Sequence, residues 1–235
     1  MPLRSGHPNC NRLLARLPCS DYDRILPNLR RVSLSLGEVI YEPGEHLDFL
    51  YFPTTAIVSL LYTMQNGSSA EMAMAGNDGL VGVALFMGGE TVPNRAVVQS
   101  AGDAYRMASG VLQDEFAKVG AFRRLLLLYT QSLMTQMSQT AVCNRLHNVE
   151  QQLCRWLLIS MDCLDSDELI MTQELIANML GVRREGVTIA AHHLQETGLI
   201  TYARGHIRIL ERCGIESIAC ECYKVVKDEY ERLIG

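Results

Sequence analysis

The stretch from Met171 to Ile209 limits the possible fold more than any other part of the chain. Thr172 is a good helix cap, because its hydroxyl can accept a hydrogen bond from a free backbone N–H one turn later. Apolar residues then recur at helical spacing until Gly181, a residue type that ends a helix without a Cβ penalty. A second amphipathic helix is predicted to begin near Arg184. This is the helix-turn-helix pattern, although an ordinary helical hairpin in a protein core has the same signature.

The segment after the second helix favours the first interpretation. Two short β-rich runs flank Arg204-Gly205, so a hairpin is predicted directly after the two helices. A hairpin at this place makes a winged helix. From Gly181 to Arg212 there are five Arg and three Glu, although the whole chain has a formal net charge of −5. The basic residues therefore gather where DNA phosphates would lie.

The polar face of the second helix carries candidate base-reading residues. In a helix-turn-helix this helix lies in the major groove of DNA. Arg184 can form two hydrogen bonds with guanine O6 and N7, and Glu185 can accept one from cytosine N4. The residues on this face are Arg184, Glu185, Thr188 and His192.

These motifs resemble those of the Crp/Fnr family of bacterial transcription regulators. Residues 172–187 look like that family's helix-turn-helix signature, and Gly198-Leu-Ile followed by the Arg204-Gly205 wing is similar to its C-terminal end. Tyr41-Glu-Pro-Gly-Glu45 and the following Tyr51-Phe also resemble the opening of the family's sensor domain. The resemblance implies a homodimer that binds double-stranded DNA, responds to an effector not yet identified, and has RNA polymerase as a possible partner.

The resemblance also assigns roles to residues. Thr172 and Gln173 would lie near phosphates, Arg184 and Glu185 would read bases, and Ile189 stands where the family commonly has an Arg. The full set predicted to contact DNA is Thr172, Gln173, Arg183, Arg184, Glu185, Thr188, His192 and Arg204.

Composition argues against several other classes of protein. With 235 residues, of which 48% are hydrophobic, the chain can bury a core and form two modest domains. No run approaches the roughly 18 uncharged apolar residues of a membrane span, and residues 1–8 lack the apolar core of a secretory signal. We therefore expect a cytoplasmic protein without a membrane partner. No catalytic triad, paired-carboxylate motif or nucleotide loop stands out, so an enzyme is not expected.

The region from Val32 to Met107 is predicted to be rich in strands, as in a sandwich or barrel. Asn66-Gly67 predicts a hairpin, because both residues tolerate the positive φ of a type I′ turn. The predicted strands are Val39–Tyr41, Phe49–Phe52, Ala56–Met64, Ala70–Ala75 and Ala96–Gln99.

The family resemblance places an effector pocket between the last of these strands. Arg95 would be the phosphate-binding Arg and Ser138 half of the pair that meets the nucleotide base, but the ribose-binding Glu falls at Leu80. A leucine cannot accept a hydroxyl hydrogen bond, and an unpaired buried hydroxyl costs on the order of 1 to 3 kcal/mol. We therefore do not expect a cyclic nucleotide as cofactor.

A long helix is predicted from Ala121 to His147, with a seam of residues spaced alternately by four and three, as in a coiled coil. A helix packed only on its own domain is the alternative. By resemblance this is a dimerisation helix. The predicted seam residues are Leu126, Thr130, Leu133, Met137, Thr140 and Asn144.

The overall prediction is an α+β protein in two domains. Residues 1–147 would form an antiparallel, jelly-roll-like β-roll sensor with the dimerisation helix at about 121–147. Residues 148–235 would form the winged helix-turn-helix domain, after which Glu216 to Ile234 is predicted as a final helix without an assigned role. An acidic stretch, from Asp162 to Glu168, is predicted to break the chain before the DNA reader.

The eight Cys are expected to be reduced thiols. Cys10 and Cys19 are too few for an iron–sulfur cluster, which needs four thiolates. Cys143 and His147 are one helical turn apart and Cys220 and Cys222 form a separate pair, and neither pair alone makes a zinc site. No metal site is predicted. Two alternatives stay open: a redox or gas sensor with a metal cofactor that still binds DNA, and a dimeric ligand-binding module that does not.

Overall fold

The structure is a computed structural model that describes residues 7–164 and 168–235. Short helices α1 (Arg12–Ala15) and α2 (Cys19–Ile25) precede an antiparallel β-roll, whose strands form two sheets in the orders β1-β7-β3 and β2-β6-β4-β5. Its strands are β1 (Arg30–Leu34), β2 (Val39–Tyr41), β3 (Phe49–Pro53), β4 (Ile57–Thr63), β5 (Ser69–Ala75), β6 (Arg95–Ser100) and β7 (Gly102–Ala108).

Helices dominate the rest of the chain. A third antiparallel sheet has the order β8-β10-β9. The remaining elements are α3 (Ala84–Met87), α4 (Ser109–Ala117), α5 (Ala121–Leu146), α6 (Val149–Leu164), β8 (Glu168–Ile170), α7 (Gln173–Leu180), α8 (Arg184–Glu196), β9 (Ile200–Ala203), β10 (His206–Ile209), α9 (Arg212–Ile218) and α10 (Glu221–Ile234). None of the helices in the described ranges is long and apolar enough to span a membrane.

The core of the β-roll confirms the predicted α+β class. Alternate residues of both sheets point inward, so that Phe52 of β3 and Val58 of β4 belong to one hydrophobic cluster. Helix α5 closes this cluster with Phe122 and Leu126, and Ile234 at the end of α10 joins it. The five predicted strands are present, and β1 and β7 are additional strands in the same region.

The β4–β5 hairpin has a longer loop than predicted. Thr63 pairs with Ser69, so five residues connect the strands. Gly67 has a φ of 85°, but Arg204 is the one non-glycine residue with positive φ in the described part of the chain, so Asn66 does not adopt the type I′ conformation. Instead the Asn66 side chain accepts a hydrogen bond from the Ser68 N–H at 3.0 Å. The prediction of a hairpin is confirmed, and the predicted turn type is wrong.

The predicted coiled-coil seam on α5 faces the core of its own protomer. Leu126, Thr130, Leu133 and Thr140 are between 0% and 8% exposed, and Met137 packs against the β-roll core. Asn144 alone of the six is exposed. The seam prediction is therefore wrong in register. Apolar residues lie on two faces of α5, and the predicted seam follows the face that packs against the β-roll of the same protomer.

A second hydrophobic cluster joins the β-roll to the C-terminal domain. Ile57 and Leu61 of β4 and Met74 of β5 pack with the buried face of α6, which includes the fully buried Trp156. The β2-β6-β4-β5 sheet is thus packed on both faces: its inner side chains fill the roll, and the outer side of β4 and β5 supports the C-terminal domain.

Glu71 lies at this contact between the domains and is buried. The Trp156 indole N–H donates to Glu71 Oε1 at 3.1 Å, and the Ser59 hydroxyl contacts Glu71 Oε2. The same hydroxyl lies 2.5 Å from Gln99 Oε1. Since a hydroxyl has one proton, both short contacts are satisfied when a protonated Glu71 donates to Ser59 and Ser59 donates to Gln99. Burial raises the pKa of Glu71 to about 7, against hydrogen bonds that lower it.

Replacing Glu71 by Gln should flatten the pH dependence of stability. The folded-state pKa of Glu71, about 7, exceeds the unfolded value of 4.5. The contribution of protonated Glu71 to the free energy of unfolding is therefore fully present below pH 4.5 and is lost as pH rises through 7. The loss amounts to about 3 kcal/mol at most, and Gln, which does not titrate, should remove it. Urea unfolding from pH 5 to 8 measures this, with Glu211→Gln as an exposed control. An equal pH slope in E71Q and the parent would contradict the assignment.

Candidate DNA-binding interface

The helix that precedes the reading helix has the predicted caps. Thr172 Oγ1 accepts a hydrogen bond from the Leu175 N–H at 3.3 Å, and Glu174 lies in the first turn of α7, at the positive end of the helix dipole. Gly181 ends the helix with a φ of 66°, and its N–H donates to the Ala177 carbonyl. The local signals therefore set both ends of α7.

Helix α8 buries one face and exposes the other, as predicted. Its buried residues include Val187 and Leu194, whereas Ile189 on the opposite face is 71% exposed. Of the eight residues predicted to contact DNA, seven are exposed and Gln173 is half-buried. The side chains on this face are thus accessible for contact with a groove of DNA.

The wing is a tight two-residue hairpin. Ala203 of β9 pairs with His206 of β10, so only Arg204 and Gly205 form the turn, with φ values of 52° and 85°. Positive φ at both positions is the type I′ geometry, which matches the natural twist of a hairpin. The turn holds the Arg204 side chain at the outer tip of the wing.

The third strand of this sheet, β8, is not predicted by the sequence pattern. Its residues Glu168 to Ile170 pair with β10, and Glu168 contacts His206 Nδ1 at 2.9 Å and Arg208 Nη2 at 3.3 Å. The predicted acidic break is therefore wrong at both ends, since Asp162 belongs to α6 and Glu168 to β8. Asp165 and Asp167, the rest of that prediction, lie outside the described residues.

Backbone contacts fix the wing against the start of α7. The Met171 N–H donates to the Gly205 carbonyl at 2.6 Å, and the Tyr202 hydroxyl donates to the Met171 carbonyl at 2.8 Å. Burial raises the pKa of Tyr202 to about 12, so its hydroxyl stays protonated and acts as a donor near neutral pH. The wing and the helices therefore present one continuous surface.

An open cleft brings the predicted residues together. Thr188 Oγ1 lies 2.7 Å from Gln173 Oε1, which links α8 to α7. Arg184 Nε lies 4.0 Å from Glu174 Oε2, and both side chains are 64% exposed, so this weak pair leaves the guanidinium free to turn towards a groove. The cleft is lined by Thr172, Gln173, Glu174, Arg184, Tyr202, Arg204 and Gly205.

Comparison with known proteins gives the same architecture. The sequence matches the model of the cyclic nucleotide-binding domain over residues 31–118 and the model of the Crp-like helix-turn-helix domain over residues 151–218. Among curated proteins, no sequence matches the chain.

Solved structures share the fold at low sequence identity. FixK2 from Bradyrhizobium japonicum is 16% identical with a TM-score of 0.68, covering 82% of this chain and 98% of its own. The c-di-GMP responsive global regulator CLP of Xanthomonas campestris is 15% identical with a TM-score of 0.66, covering 82% and 99%. A CRP-family transcriptional regulator from Thermus thermophilus is 17% identical with a TM-score of 0.66, covering 81% and 96%.

The β-roll, the long helix and the exposed reading helix with its wing define a DNA-binding regulator with a cyclic-nucleotide-binding-like sensor. The chain belongs to the Crp/Fnr family of transcription regulators.

The structure does not bring the two predicted effector residues together. Arg95 Nη2 pairs with Glu42 Oε1 at 3.0 Å near the surface, and Ser138 is exposed on α5, where its hydroxyl donates to the Met134 carbonyl. The cavity that Leu80 helps to line is apolar and measures about 70 Å³, and neither Arg95 nor Ser138 lines it. Small-molecule sites usually measure about 300 Å³ or more. This cavity is thus too small and too apolar for a nucleotide.

A larger cavity of about 250 Å³, near the lower end of that size range, lies where the two domains meet. Asp78 of the β-roll, Tyr129 of α5, Asp162 of α6, and Lys227 and Tyr230 of α10 line it. The Tyr230 hydroxyl donates to the Asp78 carbonyl at 2.8 Å, and burial raises the pKa of Asp78. Phenol, carboxyl and ammonium groups that line one partly open cavity suit a small polar molecule.

Sequence reasoning also missed a cluster of possible metal ligands. The ligand atoms of Cys143, His147, Cys220 and Cys222 all lie within 4.8 Å of one another. The two pairs are more than 70 residues apart in the chain, so spacing alone could not join them. The prediction of no metal site treated the two pairs separately, whereas the fold brings them together.

Gly181→Ala should destabilise the DNA-binding domain by about 1 to 2 kcal/mol, because an L-residue is strained at positive φ. The new Cβ would also approach Ala70 Cβ to 3.3 Å. Gly186→Ala is the matched control: it lies inside α8, where the new Cβ would make ordinary contact with Val149 at 3.5 Å and helix propensity should rise. Urea unfolding compares the two. Equal midpoints for both variants would contradict the assigned role of Gly181 as the helix stop.

Proposed function

We propose that the protein is a homodimeric transcription regulator that binds a two-fold symmetric DNA site. The observation that carries the proposal is the open cleft, in which α7, α8 and the wing place Thr172, Gln173, Arg184 and Arg204 on one surface. Three separate elements would not converge in this way in a simple helical hairpin. With one reader per protomer, the half-sites would lie about one helical turn of DNA apart, roughly 10 base pairs.

Within this proposal, different exposed side chains of α8 recognise different bases. Arg184 and Glu185 in the first turn offer a donor for guanine and an acceptor for cytosine. Ile189, exposed on the same face, offers an apolar surface that suits the methyl group of thymine. Thr172 and Arg204 flank this face and contact phosphates, which sets the register of the protein on the duplex.

Substitutions at Arg184 and Arg204 should affect DNA binding differently. Arg184→Ala should cost about 1 to 3 kcal/mol and relax preference at one base position. Arg204→Ala should weaken binding to all sequences alike and lower the salt slope by about 1. Selection from a random duplex pool, followed by titration of the selected site, measures both effects. Arg30→Ala, exposed on β1 of the β-roll, is the control.

Two results would count against this proposal. If Arg184→Ala binds the selected site as tightly as the parent, α8 is not the reading helix. If the intact protein selects no sequence, with or without added cell metabolites, the chain is a ligand-binding module that does not bind DNA.

We infer that the dimer forms through the face of α5 opposite to the β-roll core. This face is exposed along its length and includes Leu127 at 46% and Met134 at 61%. Its residues alternate in spacing by three and four, which is the coiled-coil repeat, one residue out of step with the predicted seam. The residues of this stripe are Arg124, Leu127, Gln131, Met134, Ser138, Ala141 and Arg145.

Met134→Glu should convert the dimer to a monomer, because two carboxylates would face each other in the middle of the interface. Sedimentation velocity measures the mass directly. Leu36→Glu is the matched control, since Leu36 is 54% exposed but lies outside the stripe. A parent protein that is monomeric at micromolar concentration, or an M134E variant that still dimerises, would contradict this interface.

We propose that the effector-binding site is the cavity between the two domains. This cavity is lined by residues of β5, α5, α6 and α10, so a ligand there would contact elements of both domains. We propose a small polar effector at this site, in a cytoplasmic protein that acts on DNA and contacts RNA polymerase.

A further inference from the structure

Four side chains at the junction of α5 and α10 form a compact set of metal ligands. Cys143 lies in the last turn of α5, and His147 caps that helix. Cys220 caps the start of α10, and Cys222 lies in its first turn. Their ligand atoms all fall within 4.8 Å of one another, and the three thiols are between 0% and 5% exposed. Helix ends from two distant parts of the chain thus converge on one point.

The distances within this set match one tetrahedral ion. With zinc–sulfur bonds of about 2.3 Å, two thiolates on a tetrahedral zinc are about 3.8 Å apart. Cys143 Sγ lies 3.5 Å from Cys220 Sγ, and Cys222 Sγ lies 3.7 Å from His147 Nδ1. Small rotations of side chains would place all four atoms at bonding distance from a common centre.

The histidine is oriented as metal-bound histidines are. His147 Nδ1 faces Cys222, while Nε2 on the other side of the ring lies 3.3 Å from Glu221 Oε2. A carboxylate on the second ring nitrogen fixes the tautomer that leaves the first nitrogen free to bind a cation. The Gln152 side chain also donates to the His147 carbonyl at 2.8 Å, which holds the end of α5 in place.

A buried cation beside the set would balance its charge. Three thiolates and one divalent ion have a net charge of −1. Arg155 is 4% exposed, donates to Thr140 Oγ1 at 3.3 Å and lies close enough for its charge to act on Cys143 and Cys222. Within residues 7–164 and 168–235 it forms no ion pair, and its Nε has no hydrogen-bond partner. A buried guanidinium without an ion pair is costly, even with the Glu71 carboxyl near enough to feel its charge, and an anionic metal centre would compensate it.

We propose that Cys143, His147, Cys220 and Cys222 bind one Zn²⁺ per protomer. Three sulfurs and one imidazole are the ligands of a closed structural zinc site, and thiolates favour zinc over the hard cations. The DNA-binding residues lie between the two ligand pairs in the sequence. The ion therefore ties the beginning and the end of the DNA-binding domain to the dimerisation helix.

The test uses the intact protein, purified under reducing conditions without added metal. Elemental analysis should find about one zinc per protomer. After removal of the zinc, titration with Co²⁺ should give the visible bands of a tetrahedral ion and a sulfur-to-cobalt charge-transfer band, saturating at one equivalent. These readouts do not involve DNA, so they separate this proposal from the proposed regulator function.

Two variants and a control locate the site. Cys222→Ser should weaken Co²⁺ binding by more than about 100-fold, since even outer partners of a ligand contribute about 10- to 100-fold. Glu221→Gln, 77% exposed and therefore safe for folding, should weaken it about tenfold. Cys213→Ser is the control, because Cys213 is an exposed thiol on α9 outside the set.

Three outcomes would overturn the zinc proposal: a parent protein that binds no stoichiometric metal, equal Co²⁺ affinity in C222S and C213S, or a Cys143–Cys220 disulfide in freshly purified protein by mass spectrometry. If C222S does not fold, as judged by circular dichroism, the spectrum and stoichiometry of the parent protein still decide the question.

Discussion

The structure depends on helix α5, which packs one face into the core of the β-roll and leaves the opposite face exposed. One face closes the β-roll with Phe122, Leu126 and Leu133, so the helix cannot turn without opening that core. The opposite face, with Leu127 and Met134, is left to solvent in the single chain. Because the inner face is fixed by packing, the position of the outer face is fixed as well. In the proposed dimer, the geometry of the interface and the packing of the sensor would therefore depend on the same helix.

The contact between the domains is built like a protein interior rather than a flexible linker. Trp156 is fully buried against β4 and β5, and its indole N–H bonds to the buried Glu71. On the same side of the roll, Gly181 at the end of α7 approaches Ala70 of β5 closely. The reader thus rests directly on the β4–β5 hairpin. This packing gives a change in the sensor a direct path to the reading helix, and it includes Glu71, whose pKa is raised by burial.

Local signals in the sequence predict the reader well. The Thr172 cap, the Gly181 stop and the Arg204-Gly205 turn each act over a few residues, and all three take the predicted form. The signals that fail are the ones that need tertiary context. The predicted α5 seam is one residue out of register because Leu126 and Leu127 are both apolar and only the fold shows which one the β-roll covers. Likewise, the sequence pattern predicts one helix from Glu216 to Ile234, although α9 ends at Ile218 and α10 begins at Glu221.

The C-terminal helix gains a role from the same long-range contacts. Its start carries Cys220 and Cys222 beside the end of α5, and its last turns reach the β-roll, where Tyr230 bonds to Asp78 and Ile234 joins the core. Between these ends it forms one wall of the cavity at the domain junction. A helix held at both ends cannot shift independently of α5 or of the sensor. It therefore links α5, the β-roll and the cavity at the domain junction, and an ion at its first turn would strengthen its link to α5.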